Sequence, residues 1–484
     1  MYFFKYLDIY ILQIFTYVRF TIIYTLLKAI TLPITIITYI FYNGNIFLYF
    51  FIKFIMKEKF IKSTLILLVG GLITKLLGML IKIVMARLIG TKGLGMYMLI
   101  LPTFSLFISL SQFGIPVALS KLISEDTRNN KKLLFSNFPI LILVNIVLII
   151  IIILTAPIIS NNLLHNKDLY PSILAISLVI PFSSISSICR SYFFGKQRML
   201  PHVVSNITED IVRLIIMIIG IPYFIKFGLK YTILFIILSN IISEITSTII
   251  LLLFLPKKLS ITRNDLKPNK NYLLDSLRIC IPNTTSRLIG SIGYFLEPII
   301  LTSTLLSLNY SNNYITSEYG IITGYVLPLL LLPSFFTLAI SSALLPVISK
   351  AYVNGNKKYI KNKLFLAIIL SLIIGIPITI FFTLKPDIFL QLIYHTNEGK
   401  TYLKVLAPIC LFQYLQAPLT SCLDAIGKSK TNLIAISIGT ITRTVLLYLL
   451  SYLRIGIWNL IISTSINILL VTIYQIKKVN QYLN

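Results

Sequence analysis

The chain has 484 residues, of which 57% are hydrophobic and only 12% are charged, and its mean hydropathy is +0.89. Soluble domains carry about 25% charged residues, so this composition excludes a soluble globular protein and indicates a membrane protein. The formal net charge of +28 would suit a nucleic-acid-binding protein only if the positive residues formed a basic face on a soluble domain.

The first 55 residues are a hydrophobic extension that is unusually aromatic: 17 of them are Phe or Tyr, against 12% aromatic residues in the whole chain. They lack the short hydrophobic core and the cleavage site of a signal peptide. Two interpretations remain open. The stretch is either a hairpin of one or two extra spans, or an over-extended reading frame upstream of a true start at Met56, where "MKEKFIKSTLILLVGG" places a charged flank directly before a span. We expect no functional residue in residues 1–55.

Beyond Met56 the chain consists of apolar runs of about 20 residues or more, which are long enough to cross a bilayer. Because lipid offers no partner to backbone polar groups, such runs must be helices or strands of a closed barrel. None of them alternates with a period of two residues, so we predict an all-α polytopic membrane protein. The twelve predicted transmembrane helices cover residues 64–89, 96–120, 136–160, 170–189, 202–225, 230–255, 279–305, 318–348, 364–384, 402–424, 431–452 and 456–475.

Positive residues are concentrated in every second loop, which is the pattern of cytoplasmic loops. This pattern places both ends of the 56–484 core in the cytoplasm, puts the basic loops against anionic membrane lipids and argues against nucleic acid as a partner. The predicted cytoplasmic loops contain Lys57, Lys59, Lys62, Lys121, Arg128, Lys131, Lys132, Arg190, Lys196, Arg198, the stretches 257–278 and 350–363, Lys428, Lys430, Lys477 and Lys478. The opposite loops contain Lys92, Lys167, Lys226, Lys230, Lys385, Lys400, Lys404 and Arg454.

Two segments about 230 residues apart carry the same pattern of residues. Residues 101–122 read "LPTFSLFISLSQFGIPVALSKL", and residues 332–351 read "LPSFFTLAISSALLPVISKA". A second pair at the same offset, residues 193–214 and 425–446, has Gly-Lys near its start and Arg near its end. The chain is therefore a duplicated unit of six helices. An even number of helices gives both units the same orientation, which is a parallel repeat.

The duplication predicts two lobes joined by a basic, polar linker. The amino-terminal lobe covers residues 56–255, the cytoplasmic linker 256–278 and the carboxy-terminal lobe 279–484. Two lobes that face each other across a central cavity suit a transporter that works by alternating access. Four prolines at matching places are candidate hinge residues, unless they only shape helices that their neighbours stabilise. They are Pro102, Pro116, Pro333 and Pro346.

Residues 63–125, "STLILLVGGLITKLLGMLIKIVMARLIGTKGLGMYMLILPTFSLFISLSQFGIPVALSKLISE", resemble the opening of the stage V sporulation protein B family. That family belongs to the multidrug/oligosaccharidyl-lipid/polysaccharide (MOP) flippase superfamily, whose members have a MATE-like fold. In the second lobe, "RLIGSIGYFLEPIIL" and "YGIITGYVLPLLLLPSFFTLAISSALLPVISKA" are similar to the same family. The resemblance extends from Met56 to the carboxyl end. It implies a flippase for a lipid-linked cell-wall precursor, such as lipid II for spore cortex peptidoglycan.

The sequence departs from the family pattern in two ways. Many relatives have fourteen spans, whereas twelve are predicted after Met56, so the usual final pair is missing unless residues 1–55 replace it. Lipid II flippases of the superfamily also carry a cationic residue in the eighth span, whereas "GYVLPLLLLPSFF" contains none. This difference leaves the chemistry of the cargo open.

Charged residues inside predicted spans are costly in lipid and are therefore candidates for a substrate cavity. The resemblance matches Lys75 to a cationic position in the family's first helix and Arg287 to the corresponding region of the seventh, so that the two lobes present facing positive charges to an undecaprenyl-pyrophosphate-linked oligosaccharide. Lys82 lies seven residues beyond Lys75, on the same helix face. Glu297, ten residues after Arg287, is expected on a similar face, as an ion-coupling site or as the counter-ion of Arg287. Arg87, at a span end, is expected to anchor its helix at the membrane interface.

Further charges lie in the fifth, sixth and eleventh spans. Glu209 and Arg213 are four residues apart, with Asp210 between them, which is the spacing of a helical ion pair. Arg443 is a further cavity candidate, and Glu244 a weaker one. The alternative for each of these residues is a structural ion pair, or a long side chain that reaches the membrane interface.

The sequence contains no pattern typical of an enzyme. It has no glycine-rich phosphate loop and no nucleotide-binding domain. The four cysteines form no CxxC motif and the three histidines are scattered, so we expect neither a metal nor a cofactor. The membrane potential or an ion gradient would then supply the energy for transport.

Other functions remain possible. The chain could export a teichoic-acid or capsular repeat unit, which is also lipid-linked. It could be a cation-coupled drug antiporter of the same superfamily, although Lys75 and Lys82 in the first span favour an anionic cargo. A scaffold that recruits cell-wall synthases through its basic loops belongs to a different class.

Overall fold

The computed structural model describes residues 59–125, 129–255 and 267–483, and in this part the chain is folded into α-helices joined by short turns. The all-α membrane architecture predicted from the sequence is confirmed. The predicted extension over residues 1–55 and residues 256–266 of the predicted linker lie outside the described residues. The helices are α1 (Lys59–Ser111), α2 (Ile115–Ser124), α3 (Asn130–Pro157), α4 (Tyr170–Gly195), α5 (Met199–Phe224), α6 (Leu229–Leu253), α7 (Lys270–Ser307), α8 (Asn312–Gly320), α9 (Leu327–Leu330), α10 (Ser334–Val353), α11 (Lys357–Leu384), α12 (Pro386–Tyr394), α13 (Lys400–Ala425), α14 (Ser429–Ser451) and α15 (Trp458–Leu483).

The helices correspond to the twelve predicted spans. By length and apolar composition, nine of the described helical segments could each cross a membrane. The first predicted span falls on α1, and the second begins on α1 and continues past the turn at residues 112–114 into α2. The fifth falls on α5, which carries three charged residues in its middle. A π-helical segment, Ile321–Val326, joins α8 to α9 ahead of α10.

Helix α1 has 53 residues, which at 1.5 Å per residue would reach about 80 Å, far more than the bilayer core. The helix is therefore two spans that meet at Gly90, whose φ of 64° and ψ of −177° are not helical. A glycine adopts this conformation without the steric cost of a Cβ atom. The break agrees with the predicted boundary between the first two spans.

The two copies of the repeated segment break their helices at different places. In the first copy, Pro102 lies inside α1 and the chain turns at residues 112–114, so that Pro116 stands in the first turn of α2, where proline is tolerated. In the second copy the turn comes earlier, at residues 331–333, directly before α10, and Pro346 lies inside that helix. The duplication is thus clear in the sequence but not symmetric in the backbone.

The polarity of the fold is that expected in lipid. Large apolar side chains point outwards, such as Leu154 with 66% and Leu253 with 75% of its surface exposed. Small polar side chains are buried between the helices: the hydroxyl of Ser184 donates a hydrogen bond to Asn145 Oδ1 at 3.1 Å. Small and polar residues allow helices to approach closely and to bond to one another in a membrane.

Helices α1–α6 are called the first lobe (residues 59–255) and α7–α15 the second lobe (residues 267–483). In the first lobe, α4, α5 and α6 pack on one another, and in the second lobe α13 packs on α10, α11 and α15. Helix α7 packs on α14 of its own lobe and also on α2 and α3 of the first lobe. The buried amide of Asn137 in α3 donates a hydrogen bond to Ser276 of α7 at 3.0 Å, so polar contacts join the lobes as well.

Candidate functional site

Lys75 of the first lobe contacts the second lobe at the break before α10. Its side chain is exposed on α1, and Nζ donates a hydrogen bond to Ser334 Oγ at 3.2 Å. Ser334 is the first residue of α10, and its hydroxyl donates in turn to the carbonyl of Leu331 at 2.5 Å. An ammonium group and a hydroxyl group thus meet between the two lobes.

The three candidate cations of the first and seventh spans have no acidic partner among the described residues. Lys75 is exposed, Lys82 is half-buried on the same helix, and Arg287 is exposed on α7. In the part of the chain that the structure describes, a hydrogen bond joins Lys75 to the opposite lobe, and none is found from Lys82 or Arg287. The facing arrangement of Lys75 and Arg287 stays a prediction.

The carboxylate of Glu297 is paired with Arg443. Arg443 Nη2 on α14 lies 2.6 Å from Glu297 Oε2 on α7, and the hydroxyl of Tyr319 donates to Glu297 Oε1 at 3.3 Å. Only 5% of Glu297 is exposed. The pair borders a small cavity of about 80 Å³ that is also lined by Tyr294 and Asn467.

The expectation that Glu297 could be the counter-ion of Arg287 is wrong, because Glu297 bonds to Arg443 instead. Ten residues of helix make about 2.8 turns, so the two side chains of α7 diverge by roughly 80° rather than sharing a face. The structure therefore brings together two candidates, Glu297 and Arg443, that the sequence had not connected.

A larger charged cluster ties three helices of the first lobe together. Arg190 of α4 forms ion pairs with Glu209 of α5 and with Glu244 of α6, the latter at 3.0 Å, and donates to Ser247 Oγ at 2.9 Å. Arg213 Nη2 lies 2.6 Å from Glu209 Oε1, which confirms the predicted pair four residues apart. Glu209 thus accepts from two guanidinium groups.

A polar pocket of about 220 Å³ opens beside this cluster. It is lined by Thr74, Arg190, Asn206, Glu209 and Asp210. Thr74 is the neighbour of Lys75 in α1, so the pocket adjoins the helix that carries the cation between the lobes. The described residues therefore combine ion pairs inside the lobes with a cation, Lys75, that has no acidic partner among them and lies between the lobes.

Arg190 is the member of this charged cluster that the sequence does not single out as a candidate. The loop-charge pattern predicts a cytoplasmic loop at this position, but α4 continues to Gly195 and places Arg190 inside the helix, with 21% of its side chain exposed. Its partners are 19 and 54 residues away, so no helical spacing could reveal them. The available signal was the aromatic stretch "SYFF" after Arg190, which carries the helix beyond the charge.

Comparison with known proteins gives two family matches. The profile of the family described as "Polysaccharide biosynthesis protein" matches residues 60–352, and the profile of the family "MatE" matches residues 319–449. The chain is 32% identical to Stage V sporulation protein B of Bacillus subtilis (strain 168) over 440 residues, which are 88% of this chain and 85% of the relative. It is 22% identical to Lipid II flippase MurJ of the same organism, over 81% of this chain and 77% of that protein.

Solved structures share the fold. The chain superimposes on an inward-facing conformation of a multidrug resistance MATE family transporter of the MOP superfamily with a TM-score of 0.67 and 16% identity, over 85% of this chain and 94% of that one. An outward-facing conformation of such a transporter gives a TM-score of 0.57 with 14% identity, over 88% and 96% of the two chains. The MATE-like fold predicted from the sequence is confirmed.

Proposed function

Because the chain belongs to the polysaccharide biosynthesis protein family, we propose that it is a flippase that moves a lipid-linked cell-wall precursor across the cytoplasmic membrane by alternating access. Similarity to a protein named as a lipid II flippase and to a sporulation protein supports a precursor of this kind. The finer proposal is lipid II destined for spore cortex peptidoglycan.

The observation that carries the proposal is the position of Lys75. A cation within a membrane span is expensive unless it has a function or a partner. Among the described residues, the one side-chain partner of Lys75 is the neutral hydroxyl of Ser334. An ammonium group bound in this way keeps hydrogen-bonding capacity for an anion. The diphosphate of a lipid-linked sugar is such an anion, and Lys75 would bind it as a point charge.

The pairing of the buried carboxylates with arginines favours an anionic cargo over a cationic drug. Glu209 and Glu244 are paired with Arg190, and Glu297 is paired with Arg443. A cationic drug would have to compete with these built-in guanidinium groups, whereas an anion meets the Lys75 ammonium group without such a competitor among the described residues. A cation-coupled drug antiporter is therefore the weaker candidate.

In the proposed mechanism, the tail and the polar head of the cargo take different paths across the membrane. The tail of the cargo stays in lipid beside the apolar outer surface, while the polar head enters between the lobes and its diphosphate binds Lys75. The lobes then rock, so that the head is released on the other side. With no nucleotide-binding domain in the sequence, the membrane potential or an ion gradient supplies the energy. From the positive loops we infer that both ends of the 56–484 core lie in the cytoplasm.

Rescue of a bacterium depleted of its own lipid II flippases tests this proposal. The full chain is expected to restore growth, and Lys75→Ala to abolish rescue at equal membrane levels. Lys226→Ala is the matched control, because Lys226 is an exposed lysine in the short 3₁₀ helix after α5 and its loss is expected to be harmless. Failure of the well-expressed parent chain would contradict lipid II as cargo and would favour another lipid-linked unit, such as a teichoic-acid or capsular repeat. Rescue that survives Lys75→Ala but needs the basic loops would favour a scaffold.

A further inference from the structure

Arg87 connects the end of the first span to the opposite lobe. Its Nε donates to the carbonyl of Ile393 at 2.7 Å and its Nη2 to the carbonyl of Leu392 at 2.9 Å. Arg87 lies on α1 three residues before the break at Gly90, and both acceptors lie in the last turn of α12. The two bonds therefore run from the first lobe to the second.

The end of α12 is suited to bind a cation. The last carbonyls of a helix lack partners within it and carry the negative end of its dipole. His395 follows the last residue of α12 and has a φ of 57°. Its N–H donates a hydrogen bond to the carbonyl of Gln391. The carbonyls of Leu392 and Ile393 accept from the guanidinium group instead. Two parallel N–H donors on one planar group give this contact a defined geometry.

Other contacts between the lobes lie at the same end of the molecule, which we call the Gly90 end. The Asn312 side chain donates to the carbonyl of His165 at 2.5 Å, and Ser303 Oγ lies 3.5 Å from His165 Nε2. Gly95 of α1 crosses α8 so closely that a Cβ atom on it would lie 1.9 Å from the carbonyl oxygen of Thr316. The lobes are thus in contact at this end through helix packing and through polar groups.

We propose that the two hydrogen bonds from Arg87 to the end of α12, the Arg87 latch, hold the lobes together at the Gly90 end and must break before the space between the lobes can open there. The loop charges predict that this end faces away from the cytoplasm.

The chemistry of the latch makes it reversible. Arg87 is exposed and bonds to neutral carbonyls, so water can replace both partners when the lobes separate. A buried ion pair, such as that of Glu297 with Arg443, would be far more costly to separate. Arg87 lies twelve residues after Lys75 in the same part of α1, about 18 Å along the helix. A shift of this helix when cargo binds Lys75 would therefore be carried to the latch.

Disulfide formation between the lobes tests the latch without any cargo, so its result does not depend on the proposed function. The four free cysteines, Cys189, Cys280, Cys410 and Cys422, are first replaced by Ala. Ser303→Cys and His165→Cys then place one thiol on each lobe at the Gly90 end, and the rate of their oxidation is measured in membranes. Loss of two hydrogen bonds to a charged group in Arg87→Ala is expected to lower the closed population, and the cross-linking rate, by roughly tenfold or more.

Two control variants distinguish the effect of the Arg87 hydrogen bonds on cross-linking from the effect of removing a positive charge. Lys92→Ala removes an exposed cation near Gly90 that makes no bond to α12 in the described structure, and it is expected to cross-link at the parent rate. Arg87→Lys keeps the charge but loses the planar fork, so an intermediate rate is expected. A parent rate in Arg87→Ala, at equal amounts of monodisperse protein, would overturn the proposal, as would an equal fall in Lys92→Ala. If Arg87→Ala does not assemble, Arg87→Gln replaces it and the same outcomes apply.

Discussion

Arg190 illustrates how one side chain organises the first lobe. Its guanidinium group reaches a carboxylate on α5, a carboxylate on α6 and the hydroxyl of Ser247. Ion pairs between helices replace the water that a charged group would otherwise bind, and removal of one partner leaves the other charges uncompensated in a medium of low dielectric constant. The cluster contains three carboxylates and two arginines, so each arginine compensates the negative charge of more than one carboxylate.

Replacement of Arg190 is therefore expected to destabilise the protein strongly. Among the described residues, Arg190→Ala leaves Glu244 without a paired cation and Glu209 paired with Arg213 alone. The substitution should lower the free energy of unfolding by about 3 kcal/mol. Thermal unfolding of the purified protein in detergent measures this effect. Arg198→Ala, which removes an exposed arginine eight residues later, is the control and should leave the unfolding temperature unchanged. Equal unfolding temperatures for the parent and Arg190→Ala would show that the cluster does not stabilise the lobe.

The residue scale also shows which parts of the site could be predicted. Glu209 and Arg213 were found because helical spacing places them together, and Lys75 because a lysine in a span is conspicuous. The pairing of Glu297 with Arg443 joins residues far apart in the chain, and only the packing of α7 on α14 brings them together. Helical spacing in the sequence reveals an ion pair within one helix, but it gives no information on an ion pair between two helices.

At the scale of elements, the breaks in the helices decide where the lobes can meet. The break at Gly90 was predictable from the length of the apolar run, since no single span can contain 53 residues. The later breaks could not be predicted in this way. The repeated segments are alike in sequence, but the chain remains helical at Pro102 and turns at Pro333. Neighbouring helices, rather than the proline itself, determine whether the chain turns at such a residue.

The crossing of α1 and α8 gives a prediction at this scale. Gly95→Ala places a Cβ atom against the backbone of Thr316, and the helices must separate to make room for it. Overpacking of this kind costs about 1–3 kcal/mol, so the variant is expected to unfold at a lower temperature and to yield less monodisperse protein. Gly71→Ala is the matched control, because among the described residues beyond its own stretch of helix nothing lies within 4 Å of the added Cβ, and alanine favours the helix. Equal stability of the two variants would contradict the tight crossing.

At the scale of the whole molecule, hydropathy and apolar run length were sufficient to predict a helical membrane protein, whereas the duplication was inferred from the two pairs of repeated segments. Hydropathy and run length depend on lipid as the solvent, and they act on every span. The lobes meet through helix packing, such as that of α7 on α2 and α3, and through polar contacts, among them Lys75 with Ser334 and Arg87 with the end of α12. Such contacts have no periodicity, so the sequence gives no sign of them.

The most direct test of the central claim, that the Lys75 cation between the lobes serves an anionic lipid-linked cargo, is a flipping assay in vesicles. The full chain is reconstituted with a fluorescent polyprenyl-diphosphate-linked sugar, and an impermeant quencher measures how much of the label moves between the leaflets. The account predicts movement by the parent chain, loss of at least about tenfold in Lys75→Ala, as for removal of one charge-assisted contact, and no change in Lys226→Ala. Equal rates for the parent and Lys75→Ala would contradict it, as would a parent chain that moves a cationic dye but leaves the lipid-linked sugar in place.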